Sequence, residues 1–214
     1  RTVRPLGLEC SSVVSSAGCC VSHVCSGDSI YGIASGCLAS TVRTDARVQV
    51  RMPRALFFEE ACTLPILWCT IRLALGECCV HLGARRHILI HATTGGVGLV
   101  ALEFSHRFGA VVSGSVSAAT SRDAATFVRR FASCLSGRRL DATLSGLTKA
   151  FIPTSLVCMN DRSRYLEVGK NNIWSETRMA AAVACSPFRL VAADYQSAEW
   201  TMHSLGMLDD KVHP

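Results

Sequence analysis

The sequence predicts an α/β fold built on a doubly wound parallel sheet, and two observations support this. From residue 86 onward, short apolar runs alternate with amphipathic stretches, which is the order expected of strands connected by helices. One strand–helix pair is joined by a glycine-rich turn. Residues 8–56 instead contain short β-type runs separated by Gly and Ser. We therefore expect a β part followed by an α/β part, with the boundary between residues 53 and 85.

The glycine-rich turn lies between a predicted strand over 87–91 and a predicted helix that starts at Val97. Apolar residues of the helix recur at i, i+3, i+4, i+7 and i+11, and Gly109 ends it. Glycines let the backbone approach a pyrophosphate, and the helix N-terminus supplies free N–H groups, so this unit of Rossmann type can bind a dinucleotide. The alternative is a turn that only connects strand and helix. The expected cofactor-binding residues are Thr94, Gly95, Gly96, Val97 and Gly98.

The next predicted strand, over 111–116, indicates which dinucleotide would bind. A site for NAD usually has Asp or Glu at the end of this strand, to bond the ribose 2′-hydroxyl. Here the strand ends in small polar residues, and Arg122 follows. Ser117 and Arg122 suit a 2′-phosphate better, which favours NADPH over NADH. Alternatively, these two residues only cap and solvate a turn.

The remaining elements are predicted from apolar periodicity and from Gly, Pro and Ser breaks. Strands are expected at 13–14, 30–33, 48–52, 140–144, 165–168 and 188–193. Helical segments are expected at 58–62, 66–76, 121–134, 151–159 and 174–183, with a helix start and a polar tail after Tyr195.

Composition excludes several classes of function. The net charge of +6 is spread over separate arginine pairs, whereas a nucleic-acid site needs a concentrated basic face. The 12 cysteines form no CxxC and no zinc spacing, so we expect no metal and a reduced, cytoplasmic location. No apolar run reaches ~18 residues, which predicts no membrane span. The opening Arg-Thr-Val-Arg suggests a piece excised from a longer polypeptide.

Four segments resemble, in the same order, the enoyl reductase domain of modular polyketide synthases and type I fatty acid synthases. This domain belongs to the zinc-independent part of the medium-chain dehydrogenase/reductase superfamily. The segments are GDSIYG at 27–32, FEEACTLP at 58–65, HATTGGVG at 91–98 and YLEVGKNNIW at 165–174. The second and fourth are more specific than the glycine turn. The resemblance extends over nearly the whole chain.

The resemblance implies a partial GroES-like β substrate domain over 1–60 and an NADPH-binding domain over 61–200. Residues 201–214 would begin the return to the β domain. Such domains use NADPH to reduce the trans-2 double bond of an enoyl thioester carried on an acyl carrier protein. Hydride goes to the β-carbon, and the enolate is protonated at the α-carbon. No metal is required. The implied partners are the carrier-bound substrate and the other domains of the synthase.

The resemblance also suggests site residues. Lys170 and Asp194 match positions proposed as proton donors, and Lys170 also stands near the cofactor. Tyr31 is the only tyrosine of the β part and is a further candidate donor, while Thr70 matches a position near the nicotinamide. Without the resemblance, Lys170 would be interpreted as a surface lysine at a strand end, and Asp194 as an ordinary loop acid.

The chain departs from the family between Ser117 and Ser121. Only three residues stand where the family has a helix and a strand, so the third strand of the sheet is predicted to be missing. Both ends of the β domain are also short. Three hypotheses follow: an active enoyl reductase, a free-standing quinone or enal reductase, or a decayed or spliced non-catalytic remnant. The gap favours the remnant, whereas the intact turn, Lys170 and Asp194 favour the enzyme.

Overall fold

The chain forms two compact units in the computed structural model. The model describes residues 6–79, 82–115, 124–147, 151–169, 173–182 and 187–212. The first unit combines Arg1–Cys69 with Ala193–Pro214, and the second is Thr70–Ala192. Among the described residues, no helix is both long enough and apolar enough to span a bilayer.

The first unit is built on a three-stranded antiparallel sheet with strand order β1-β2-β3. Its strands are β1 (Glu9–Val13), β2 (Ser29–Ile33) and β3 (Gln49–Arg51). Strands β2 and β3 approach closely because Gly32 has no side chain: a Cβ there would lie 2.1 Å from the Val48 carbonyl oxygen. Tyr31, beside this glycine, is fully buried.

Helices complete the first unit. They are α1 (Phe58–Ala61), the start of α2 (Pro65–Ile71) and α7 (Ala198–Val212), which contacts β3. The Trp68 indole N–H donates to the Ser204 carbonyl at 2.6 Å and so joins α2 to α7. The prediction of a helix start and a polar tail was wrong, since α7 runs for 15 residues.

The second unit contains a five-stranded parallel sheet with strand order β5-β4-β6-β7-β8. Its strands are β4 (His87–Ile90), β5 (Val111–Gly114), β6 (Leu140–Ser145), β7 (Met159–Glu167) and β8 (Phe188–Leu190). Its helices are α3 (Gly96–Arg107), α4 (Ala124–Leu135), α5 (Phe151–Val157) and α6 (Glu176–Ala182), and α2 continues into it as a π-helical segment, Arg72–Glu77. The predicted α/β fold class with a parallel sheet is confirmed.

Apolar side chains from three helices cover one face of this sheet. Leu89 and Tyr165 on the strands pack with Phe131 of α4, Ile152 of α5 and Met179 of α6. Since side chains alternate along a strand, His91 and Glu167, two residues beyond Leu89 and Tyr165, are directed to the same face. Polar residues thus follow the apolar core at the carboxyl ends of two strands.

Some element boundaries differ from the sequence prediction. Strand β7 begins at Met159, where we expected the end of a helix, because Met159 pairs with Leu140 of β6 and α5 already ends at Val157. Strand β8 ends at Leu190, three residues before the predicted end, and a 3-10 turn, Ala193–Tyr195, begins at the last residue of the predicted strand.

Strand β5 is an edge of the described sheet, while the gap at 117–121, where a strand was predicted to be missing, lies outside the described residues. Within the described ranges, β5 pairs only with β4, and Val111 at its start is 43% exposed. An edge strand of this kind is what a missing third strand would leave.

Candidate functional site

The glycine-rich turn connects the end of β4 to the first residue of α3. Gly95 is the N-cap of α3, with φ −82° and ψ 163°, and its carbonyl accepts a hydrogen bond from Leu99 N–H at 2.9 Å. Because Gly95 has no side chain, it cannot cap the helix in the way Ser or Asp would. The N–H groups of the first turn therefore have no side-chain cap and can bind an anion, as in phosphate-binding helices.

Close packing holds the turn against α3 and β5. A Cβ on Gly98 would lie 2.4 Å from the Ala92 oxygen, and a Cβ on Gly114 would lie 2.7 Å from Thr93 Cγ2. Ala92 itself has φ 54°, a left-handed conformation that non-glycine residues adopt at a cost. A larger residue at either glycine would therefore force its neighbours to shift: the backbone of the turn at Gly98 and the Thr93 side chain at Gly114.

His91, the first residue of the turn, is bonded at both ring nitrogens. Nδ1 lies 2.9 Å from Ser115 Oγ, and Nε2 lies 2.8 Å from Ser155 Oγ. Ser155 donates its own hydrogen to the Phe151 carbonyl at 2.7 Å, so it must accept from Nε2–H. Nδ1 consequently accepts from the Ser115 hydroxyl. The ring is 4% exposed, and burial lowers the pKa of His91 to about 4, which keeps the imidazole neutral.

Ser115 also ties the turn to the end of β5. Its carbonyl accepts from Thr93 N–H at 3.0 Å and from Thr93 Oγ1 at 3.1 Å. Its N–H donates to the Ile90 carbonyl at 3.0 Å. The position of the turn is thereby coupled to the end of β5.

Glu167 ends β7 as a buried carboxyl that is only 1% exposed. Its Oε1 accepts from Gly169 N–H at 2.7 Å. The Ser145 hydroxyl is 3.5 Å from the Leu147 carbonyl and is also close enough to the Glu167 carboxyl to lower its pKa, while Oε2 has no hydrogen-bond partner among the described residues. Burial outweighs the hydrogen bonds from Gly169 and Ser145 and raises the pKa of Glu167 to about 7.

The structure describes five of the predicted cofactor-binding residues together at the turn. Thr94, Gly95 and Gly96 are exposed, Val97 is half-buried and Gly98 is buried. The predicted residues Ser117, Arg122 and Lys170 lie outside the described residues.

The other predicted residues are divided between the two units. Tyr31 and Asp194 belong to the first unit: Tyr31 is fully buried in β2, and Asp194 is exposed in the 3-10 turn Ala193–Tyr195. Thr70 is half-buried in α2 and belongs to the second unit. In the part of the chain that the structure describes, no three His, Cys, Asp or Glu residues are grouped to hold a metal.

Sequence reasoning missed four polar residues beside the turn and at the end of β7. They are His91, Ser115, Ser155 and Glu167. A signal existed for two of them. His91 and Glu167 are polar residues at the ends of apolar strand runs, each two positions after a core residue, where a buried side chain is expected.

Comparison with known proteins supports the resemblance, although no protein-family model matches the chain. The chain is 30% identical over 193 residues to the pikromycin polyketide synthase component PikAII of Streptomyces venezuelae, which covers 82% of this chain and 5% of that protein. It is 31% identical over 192 residues to the spectinabilin polyketide synthase system protein NorB of Streptomyces orinoci, covering 83% of this chain and 9% of that protein. The chain thus spans a small part of the curated relatives it matches.

Solved structures share the fold. CurK enoyl reductase superposes with a TM-score of 0.89 at 24% identity, over 97% of this chain and 68% of that one. The Escherichia coli quinone oxidoreductase, solved with NADPH, superposes with a TM-score of 0.83 at 20% identity, over 97% and 70% of the two chains. The chain is therefore similar in sequence to a segment of polyketide synthases, and it shares the fold of CurK enoyl reductase and Escherichia coli quinone oxidoreductase.

Proposed function

We propose that the chain is an NADPH-dependent enoyl reductase domain of a larger synthase. Its substrate would be a trans-2 enoyl thioester on an acyl carrier protein. The observation that carries the proposal is the preformed turn at the end of β4, where an uncapped helix N-terminus meets glycines that admit no side chain. The similarity to polyketide synthases and to the CurK enoyl reductase fold supports the same assignment.

The residues of the turn suit the phosphates of a dinucleotide. The exposed Thr94, Gly95 and Gly96 lie at the start of α3, a 12-residue helix whose first N–H groups and dipole favour an anion. The Gly95 N–H itself donates to the Ala92 carbonyl at 3.0 Å. We assign the 2′-phosphate to Ser117 and Arg122, and a position near the nicotinamide to Thr70. Bound NADPH would supply the hydride for the β-carbon.

Protonation at the α-carbon requires an acid from the chain. We propose Lys170 and Asp194 for this role, and the exposure of Asp194 supports its access to a substrate. Tyr31 is a weaker candidate, because a phenol with no exposed surface in β2 would have to move before it could meet a substrate. Lys170 stands three residues after Glu167 in the sequence.

A second candidate is a quinone or enal reductase. The fold of Escherichia coli quinone oxidoreductase, which was solved with NADPH, favours it. Both candidates use the same cofactor, so the acceptor distinguishes them. Reduction of a quinone in preference to an enoyl thioester would select the second candidate.

The first experiment is thermal unfolding of the chain with and without saturating NADPH, with NADH as the control nucleotide. A ligand that binds only the folded state stabilises it by about 2.7 kcal/mol at a hundred-fold excess over Kd. We expect a higher midpoint with NADPH than with NADH. A melt that NADPH leaves unchanged would refute cofactor binding and leave the non-catalytic remnant.

Two glycine variants locate the binding site. Gly98→Ala puts a Cβ against the turn backbone and should abolish the NADPH shift. Gly83→Ala is the matched control, because a Cβ there meets no atom within 4 Å, and it should keep the shift. If the wild-type chain binds NADPH, Lys170→Ala and Asp194→Ala are then assayed with an enoyl thioester, and each should lower kcat by about a hundred-fold if the residue donates the proton.

A further inference from the structure

The carboxyl ends of β6 and β7 form a tightly packed polar corner at the edge of the sheet where ligands bind in this class of fold. Ser145 pairs with Glu167 across the two strands, and the chain leaves the corner through Gly146 and Gly169. A Cβ on Gly169 would lie 2.6 Å from Glu167 Oε1 and 3.8 Å from Gly146 Cα. Gly146 and Gly169 are therefore packed against each other, and Gly169 is packed against the Glu167 carboxyl.

Glu167 is the residue in this corner that fixes the backbone after β7, at Gly169. Its Oε1 accepts the Gly169 N–H at 2.7 Å, a bond between residues only two positions apart. Val168 N–H donates to the Ser145 carbonyl at 2.8 Å, which extends the pairing of β6 and β7 by one residue. Beyond that point the side chain of Glu167, rather than a sheet partner, holds the backbone.

A buried carboxyl needs a reason, because burying an acid costs free energy unless its oxygens are bonded. The titratable and polar groups that face Glu167 are the Tyr165 phenol on its own strand and the Ser145 hydroxyl on β6. No described basic residue faces it. Burial raises the pKa of Glu167 to about 7, so a protonated form, which is still able to accept from Gly169 through Oε1, is available near neutral pH.

We propose that Glu167 is a positioning residue for the proposed reductase: its carboxyl fixes the Gly169 peptide, which directly precedes the proposed proton donor in the sequence. The inference rests on the proposed function. Lys170 follows Gly169 directly in the sequence, so the peptide that Glu167 holds is the one that precedes the proposed proton donor. A bulkier or non-accepting residue at 167 would release that peptide without touching the cofactor turn.

Three variants test this in the whole chain. Glu167→Gln keeps an oxygen acceptor of nearly the same shape and resembles the protonated acid. Glu167→Ala removes the acceptor. Glu176→Gln changes an exposed acid in the first turn of α6 and serves as the matched control.

The first measurement is hydrogen exchange of the single Gly169 amide by NMR, which needs no catalysis. With one hydrogen bond lost, Glu167→Ala should exchange this amide about ten-fold faster. Glu167→Gln and Glu176→Gln should match the wild-type chain, and amides of the turn at 92–95 should not change. Equal Gly169 exchange in the Ala variant, or equally fast exchange in the Gln variant, would overturn the proposal.

The second measurement is enoyl thioester reduction at saturating NADPH. Glu167→Ala should lower kcat by about ten- to hundred-fold with little change in the KM for NADPH, and Glu167→Gln should restore it. A loss of kcat that Gln does not restore would contradict positioning by the acceptor. Failure of the proposed function would look different, since the wild-type chain would then show no NADPH shift and no reduction.

Discussion

The ends of β4 and β7 each contain one buried titratable residue, and the two residues are satisfied to different extents. His91 at the end of β4 has a hydroxyl partner at each nitrogen. Glu167 at the end of β7 has one bonded oxygen, while the other has no hydrogen-bond partner in the described part of the chain. Burial favours the neutral form of each residue, so it lowers the pKa of His91 and raises the pKa of Glu167.

This difference indicates that the hydrogen bonds of His91 are structural, whereas the incompletely bonded Glu167 has another role. A fully bonded buried group makes the surroundings rigid, as a preformed phosphate site requires. A partly bonded buried group costs free energy, and natural proteins keep few of them without a use. We therefore interpret the β4 end as the rigid part of the proposed cofactor site, and the β7 end as the part that fixes the Gly169 peptide.

The largest expected effect comes from breaking the network at β4. His91→Ala removes two buried hydrogen bonds and a ring that lies 5.7 Å from Phe127 and 5.8 Å from Phe151, between centroids. We expect the free energy of unfolding to fall by about 3 kcal/mol. Urea denaturation at pH 7 measures it. A loss within 0.5 kcal/mol, about the effect of a surface substitution, would refute the structural role of the network.

The lowered pKa of His91 also predicts the direction in which stability changes with pH. Because the folded pKa of about 4 lies below the ordinary value of 6.5, the contribution of His91 to stability is complete above pH 6.5 and is lost as pH falls toward 4. The loss is at most about 1.4 kcal/mol per pH unit. His91→Gln should flatten this part of the stability profile between pH 6.5 and 4. An unchanged profile would show that other groups cause it.

Glu167 should change stability with pH in the direction opposite to His91. Its folded pKa of about 7 lies above the ordinary value of 4.5, so its favourable contribution is complete below pH 4.5 and is lost as pH rises through 7. Glu167→Gln should therefore gain stability relative to the wild-type chain, by about 2 kcal/mol between pH 5 and 8. Denaturation at several pH values measures the difference. A constant difference would mean that the carboxyl titrates normally.

The sequence predicted the β4–turn–α3 unit to within a residue, because every signal there is local. The strand is apolar, the turn is glycine, and Gly109, with φ 70°, follows the helix. Strand β7 was harder, since the polar stretch Asn160, Asp161 and Arg162 interrupts its apolar run and the pairing with β6 shifts register after Leu140.

Helix α7 and the His91 network escaped prediction for other reasons. The buried positions of α7 include Thr201 and Ser204 beside Leu205 and Leu208. Two polar residues thus interrupt the apolar periodicity that would have predicted the helix. The two partners of His91 lie 24 and 64 residues away in the sequence. Only the folded sheet and α5 bring them to the ring, and no local pattern indicates that they meet.

A smaller effect is expected from one partner of the network alone. Ser155→Ala leaves His91 Nε2–H buried without its acceptor, which should cost about 1.5 kcal/mol. Ser133→Ala is the matched control, since Ser133 makes the same kind of bond to a carbonyl three residues back but is exposed on α4. Chemical denaturation of both variants should separate them by about 1 kcal/mol. Equal losses would show that Ser155 acts only within its own helix.

The smallest effect should come from an exposed ion pair on the helix that the turn begins. Arg107 contacts Glu103 at 2.7 Å across one turn of α3, and the two side chains are 45% and 68% exposed. Solvent screens such a pair, so Arg107→Ala should lower the free energy of unfolding by only about 0.4 kcal/mol, including the loss of a cation near the C-terminus of the helix. The loss should shrink further in 1 M salt, where the Debye length falls to about 3 Å. Denaturation at low and high salt measures both numbers. A loss as large as that expected for Ser155→Ala would show that an exposed interaction can stabilise the chain as much as a buried hydrogen bond of His91. Burial would then not explain why the end of β4 is rigid, and the contrast with β7 would rest on geometry alone.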